Sequence, residues 1–214
     1  LEFMLDAKIE NKASVTLFTS FNPGSGKSFL TMNTAATFAM KGKRILVIDG
    51  DLRRGSASAY LGSQHKGLSD YLGKRESCLD ALVQENPDIP GFFLLPAGTI
   101  PPNPTELLAE PLFKETIEQL RGHYDYILID CPPIDIVADT QIIEKLADRT
   151  VFVVRAGLLE RDMLSELQRM YDEKRFKNMA LLLNGTEGGG NRYGYRYGYK
   201  YGYKYGYGSK NYYK

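Results

Sequence analysis

The sequence is poor in cysteine and histidine and carries no long apolar run. Cys78 and Cys131 stand 53 positions apart, with no CxxC pair and no Cys/His cluster, and there are only two histidines. That pattern argues against a metal site and a disulfide framework, and it makes a reducing compartment the expected one. No stretch approaches the roughly 18 apolar residues of a bilayer span, and no signal peptide is expected. An excess of one charge is missing too: 27 Lys/Arg face 26 Asp/Glu, a formal net of +1. The whole chain is therefore not a strongly basic nucleic-acid binder. It starts at Leu1 rather than Met, so a piece of a longer protein is expected.

What is present suits a globular domain. The chain is 43% hydrophobic and 25% charged over 214 residues, long enough to bury a core without covalent staples. Short apolar runs at 15–20, 44–48, 92–95, 126–129, 150–154 and 179–183 read as six strands. Helical periodicity covers 27–40, 111–121, 140–147 and 158–174. In the first of these Phe29, Leu30, Ala36 and Met40 recur at helical spacing, and Gly42 closes the segment. Strands apolar throughout, separated by helices, predict an α/β fold: a doubly wound, mainly parallel sheet with helices on both faces. Such sheets bind ligands at the carboxyl ends of their strands.

Past residue 186 the character changes. Residues 187–214 hold ten of the fifteen tyrosines and eight of the twenty-one glycines, in a Tyr-Gly-Tyr-Arg/Lys register. They contain no Leu, Ile, Val, Phe or Met. Such a segment cannot pack a core, and ordering its glycines is costly. The division expected is a domain over 1–186 and a disordered tail over 187–214. The tail has six Lys/Arg against one Glu, a net of +5, which leaves −4 on the rest. An acidic body carries a basic tail.

The first strand runs into Thr19-Ser20-Phe21-Asn22-Pro23-Gly24-Ser25-Gly26-Lys27-Ser28. Gly-Lys-Ser between a strand and a helix is the core of a phosphate-binding loop, the P-loop NTPase signature. Glycines let backbone N–H groups crowd an anion, and the helix adds its positive end. Lys27 supplies a mobile cation for the terminal phosphates, and the Ser28 hydroxyl can ligate Mg²⁺. The generic pattern has Gly where Phe21 stands. A chance Gly-Lys-Ser at a helix start is common, but Gly24 and the flanking elements favour the loop.

Carboxylates end the next strands. Asp49 and Asp51 follow Ile45-Leu46-Val47-Ile48, and positions i and i+2 of an extended chain share a face. They could converge on one ion or one substrate hydroxyl. Asp130 ends Ile127-Leu128-Ile129, where a Mg²⁺ partner is expected. Each alone could be a cap or turn residue. Arg53 and Arg54 could hold phosphate oxygens bidentately, or could equally be a solvated loop or an interface contact. Cys131 reads as a small buried apolar residue.

Together these residues resemble the bacterial tyrosine kinases, the cytoplasmic autokinases of capsule and exopolysaccharide export. The resemblance rests on Ser20-x-x-Pro23-Gly24-x-Gly26-Lys27-Ser28, on Ile48-Asp49-x-Asp51-Leu52-Arg53-Arg54, and on Ile129-Asp130-x-Pro132-Pro133 with Asp139 beyond. It also rests on Leu95-Pro96-Ala97-Gly98 with Pro101-Pro102-Asn103-Pro104-x-Glu106-Leu107-Leu108, which separates this family from partitioning and cell-division ATPases, and on the tyrosine-rich end. It covers nearly the whole chain.

The resemblance implies ATP and Mg²⁺, with Lys27 on the transferred phosphate. Ser28 and Asp130 would organise the metal, with Asp51 nearer to it than Asp49, the expected base. The implied nucleotide set is Asn22, Gly24, Ser25, Gly26, Lys27, Ser28, Phe29 and Arg53, with Asn184 as an adenine contact. The implied acceptors are Tyr193, Tyr195, Tyr197, Tyr199, Tyr201, Tyr203, Tyr205, Tyr207, Tyr212 and Tyr213, delivered as the tail of a neighbouring subunit. A membrane-spanning activator, in the same or a separate chain, is a further implied partner. So is a ring-like homo-oligomer of the full-length protein at the inner face of the inner membrane, the fragment itself being compatible with a monomer. Nucleic acid is not expected. Ser25 departs from a common Glu, Gly55 from a common Pro, and Ser56 takes the place of a regulatory tyrosine of some relatives. The oligomerisation motif Glu-x-x-Arg-x-x-Arg is absent from this chain. The alternative is a partitioning-type P-loop ATPase switch without kinase activity.

Overall fold

The β-branched and apolar runs form strands and the periodic segments form helices. The computed structural model describes residues 12–61, 66–134 and 138–186. Within them run β1 (Ser14–Thr19), α1 (Lys27–Ala39), β2 (Ile45–Asp49), α2 (Leu68–Leu72), β3 (Gln84–Glu85), β4 (Phe92–Leu95) and α3 (Pro104–Ala109). They continue with α4 (Pro111–Arg121), β5 (Tyr126–Asp130), α5 (Asp139–Glu144), β6 (Arg149–Arg155), α6 (Met163–Asp172) and β7 (Met179–Asn184). The strands make one sheet in the order β3-β4-β2-β5-β1-β6-β7. All pairings are parallel except β3 against β4.

The three middle strands, β2, β5 and β1, are buried at every position. They can be apolar throughout because both faces are covered. Alternate side chains feed opposite sides of the sheet. Leu17, Leu46, Ile48, Ile127 and Ile129 pack with Phe113 and Ile117 of α4 and Ile143 of α5. Phe18, Ile45, Val47 and Leu128 pack with Ala35 and Phe38 of α1. A third cluster, Phe21, Phe152, Leu167, Met170 and Phe176, sits under α6.

The doubly wound α/β expectation holds, and four details are corrected. A seventh strand, β3, is present, only two residues long and without an apolar run to announce it. Phe29 and Met40 face solvent on α1, whereas Met32, Ala35, Phe38 and Ala39 form its buried face. β7 is an edge strand, and its Leu181 and Leu183 are 61% and 60% exposed. The last helix begins at Met163, five residues after its expected start. Cys78 is exposed and Cys131 buried, both free thiols. The tail over 187–214 lies outside the described residues.

Candidate active site

Strand order assembles the site. β5 lies between β1 and β2, and the register sets Asp130 opposite both Asp49 and Phe18. The carboxyl tips of β2 and β5 therefore present two acids side by side, and the loop leaving β1 passes beside them.

That loop is anchored at its start. Phe21, where the generic pattern has Gly, is buried and meets the Phe152 ring edge-on at 5.0 Å. The Ser20 and Ser25 hydroxyls both donate to the Asn22 carbonyl, at 2.8 and 2.9 Å. Gly24 and Gly26 have φ of 76° and 95°, a region hostile to side chains. Outside the loop, Arg155 Nη1 donates to the Gly24 carbonyl at 2.7 Å and Asn184 Nδ2 to the Ser25 carbonyl at 2.9 Å. The tips of β6 and β7 thus hold two loop carbonyls outward. Gly26 starts α1 without a side-chain cap, so the unpaired N–H groups of the first turn and the helix's positive end stay open to an anion.

Lys27 opens α1 and is buried. Burial lowers its pKa, and the nearby charges of Asp130 and Asp51 oppose that shift. Asp49 Oδ2 accepts from the Ser58 N–H at 2.7 Å and from the Ser58 hydroxyl at 2.6 Å, and Oδ1 accepts from the Asp51 N–H at 3.2 Å. Burial raises the Asp49 pKa to about 6 against the pull of those Ser58 bonds. Asp130 is more extreme. Both its oxygens are buried without a hydrogen-bond partner, and burial raises its pKa to about 7. The Ser28 hydroxyl lies close enough to favour the charged form, short of full hydrogen-bond geometry. Asp51, also buried, receives the N–H groups of Arg53 and Arg54 on Oδ1, at 3.2 and 3.1 Å.

Two bare buried acceptors are costly unless something positive meets them. Asp130, with Ser28 and Asp51 nearby, fits a hard cation. Among the described residues no three His, Cys, Asp or Glu side chains converge as a ligand set. A cation here would draw only part of its shell from protein, as Mg²⁺ commonly does beside phosphates.

The structure brings Lys27, Ser28, Asp49, Asp51 and Asp130 together. β2 ends at Asp49, so Asp51 lies past the strand, just before the turn at residues 52–54. Asn184 reaches the loop through the Ser25 carbonyl. Arg53 turns aside: its Nε meets Asp139 Oδ2 at 3.1 Å and its Nη2 meets Thr105 Oγ1 at 2.9 Å. The neighbouring Arg54 has its charge felt at Lys27 instead. Phe29 is 58% exposed. Sequence reasoning missed Ser58, which carries no motif signal, and Arg155, whose place at a strand tip was a usable one. Tyr193 to Tyr213 lie outside the described residues.

Residues 14–172 match the AAA domain family. The chain is 37% identical over 163 residues to the tyrosine-protein kinase CpsD of Streptococcus pneumoniae, covering 75% of this chain and 71% of that one. It is 34% identical over 182 residues to the tyrosine-protein kinase YwqD of Bacillus subtilis, covering 85% and 76%. Its fold matches the kinase domain of Escherichia coli tyrosine kinase ETK with a TM-score of 0.78 at 30% identity, covering 92% of this chain and 76% of that one.

Proposed function

The chain belongs to the AAA domain family and, within it, to the bacterial tyrosine-protein kinases, and from that membership we propose that it moves the γ-phosphoryl group of ATP to tyrosines of its own C-terminal cluster. The acceptor is the tail of a neighbouring subunit. The observation that carries this reading is the unpartnered Asp130 carboxylate, set in register beside Asp49 and within electrostatic reach of Lys27.

Lys27 and the first turn of α1 bind the phosphate chain. Ser28, Asp51 and Asp130 are the residues that would hold Mg²⁺, which supplies charge neutralisation on the phosphate oxygens. Asp49, fixed by Ser58, orients the tyrosine hydroxyl and accepts its proton late. The phenol needs no strong base, because the transition state is loose and positioning dominates. The new bond joins the tyrosine oxygen to phosphorus, and the bond to the departing ADP oxygen breaks.

Among the described residues no helix is long and apolar enough to cross a membrane. The proposed setting is the inner face of the inner membrane, with a membrane-spanning activator in this or another chain and a ring-like assembly of the full-length protein. Control of capsule or exopolysaccharide export is the proposed role. The test is incubation with labelled ATP and Mg²⁺, comparing the chain with Lys27→Met and with a version ending at Gly190. The intact chain alone should label strongly, on tyrosine. Label retained by Lys27→Met removes the assignment of the site, and label confined to Ser/Thr removes that of the acceptor.

A further inference from the structure

We propose that Thr105, with Asp139, is a positioning residue that sets Asp51 through Arg53, an assignment that rests on the kinase reading above. Three separate segments meet here: the turn after β2, the start of α3 and the start of α5. The Thr105 hydroxyl donates to Asp139 Oδ1 at 2.5 Å and accepts from Arg53 Nη2 at 2.9 Å. Arg53 Nε donates to the other Asp139 oxygen, Oδ2, at 3.1 Å. A hydroxyl has one proton and two lone pairs, so Thr105 fills both roles at once. Asp139 is fully buried. Each of its oxygens takes one of these donors, and losing either leaves a buried acceptor unmet.

The triangle reaches the site through the backbone. Arg53 is gripped by its side chain, and its own N–H donates to Asp51 Oδ1 at 3.2 Å, beside that of Arg54 at 3.1 Å. A rigid, planar fork held at two points fixes the residue whose main chain aims the Asp51 carboxylate. It also keeps the Arg53 charge engaged with Asp139. The stretch around Asn103-Pro104 thereby acquires a physical role, because it delivers the hydroxyl that closes the triangle.

Thr105→Val keeps the shape and deletes the hydroxyl. In the intact chain with ATP and Mg²⁺, kcat for tyrosine phosphorylation should fall about tenfold while the KM for ATP stays within about twofold. Half-maximal rate should need more Mg²⁺, and binding of a fluorescent ADP analogue in EDTA should not change. Thr105→Ser should restore the rate, and Arg53→Lys should copy the loss, since an ammonium cannot reproduce the fork. Thr116→Val is the control for stability alone, because that hydroxyl donates to the Leu112 carbonyl within α4 at 2.6 Å. An unchanged kcat in Thr105→Val beside an inactive Asp51→Asn overturns the positioning role, as does an equal loss in Thr105→Ser. An active Asp51→Asn overturns the underlying site reading instead. If Thr105→Val does not fold, Arg53→Lys decides by the same criteria.

Discussion

Asp130 is the residue on which most of the site's energetics turn. A buried carboxylate with no partner on either oxygen weakens the fold whenever it is charged and nothing positive meets it. Asp130→Asn should therefore abolish kinase activity and yet raise the stability of the metal-free protein at pH 8, by about 1–3 kcal/mol. Calorimetry in EDTA beside a labelling assay checks both halves. The pH dependence follows from the same residue and Asp49. Their folded pKa values of about 7 and about 6 lie above the 3.8 of a free carboxylate. Between about pH 4 and pH 7 the folded chain therefore binds more protons than the unfolded one. The contribution of these two groups is fully present at low pH and is lost as pH rises through that window. The melting temperature in EDTA should decline across it, with a shallower slope once Asp130 is changed to Asn.

The phosphate loop and the strand tips set a second scale. Phe21 departs from the generic loop pattern because the loop is tied to the α6 side of the sheet through Phe152. Phe21→Ala should cost about 3–5 kcal/mol, read as a shift in the urea midpoint with no change in slope. Gly26→Ala would force a side chain into a left-handed backbone and place a Cβ 2.3 Å from Asn184 Nδ2. The backbone penalty alone is about 1–2 kcal/mol, and nucleotide affinity should fall with it in a fluorescence titration.

Much of this was readable from residue order. The six longer strands, the loop and the three acids announce themselves, because buried parallel strands are continuous apolar runs and their tips are polar. The buried face of α1 was not legible, because it mixes Met32 and Phe38 with small alanines while the apolar Phe29 and Met40 face solvent. The openness of β7 was hidden because Leu181 and Leu183 look like core. The engagement of Arg53 was hidden as well, since its partners, Thr105 and Asp139, lie 52 and 86 positions downstream.

At the scale of the molecule, charge distribution suggests a cycle. The tail's net of +5 faces a body of −4. Each tyrosine phosphate adds about −1.5 to −2, so four of them would overturn the tail's sign. If the proposed ring-like assembly forms, phosphorylated chains should therefore self-associate less than dephosphorylated ones. Sedimentation of the two forms at equal concentration checks this, and identical sizes would argue against it. The sheet order has its own consequence for biosynthesis. β1 and β2 leave the ribosome before β5, yet they flank a gap that only β5 fills. A nascent chain shorter than Tyr126 carries the loop and Asp49 but no strand between them. The phosphate loop and Asp49 thus come side by side only once that central strand has been made.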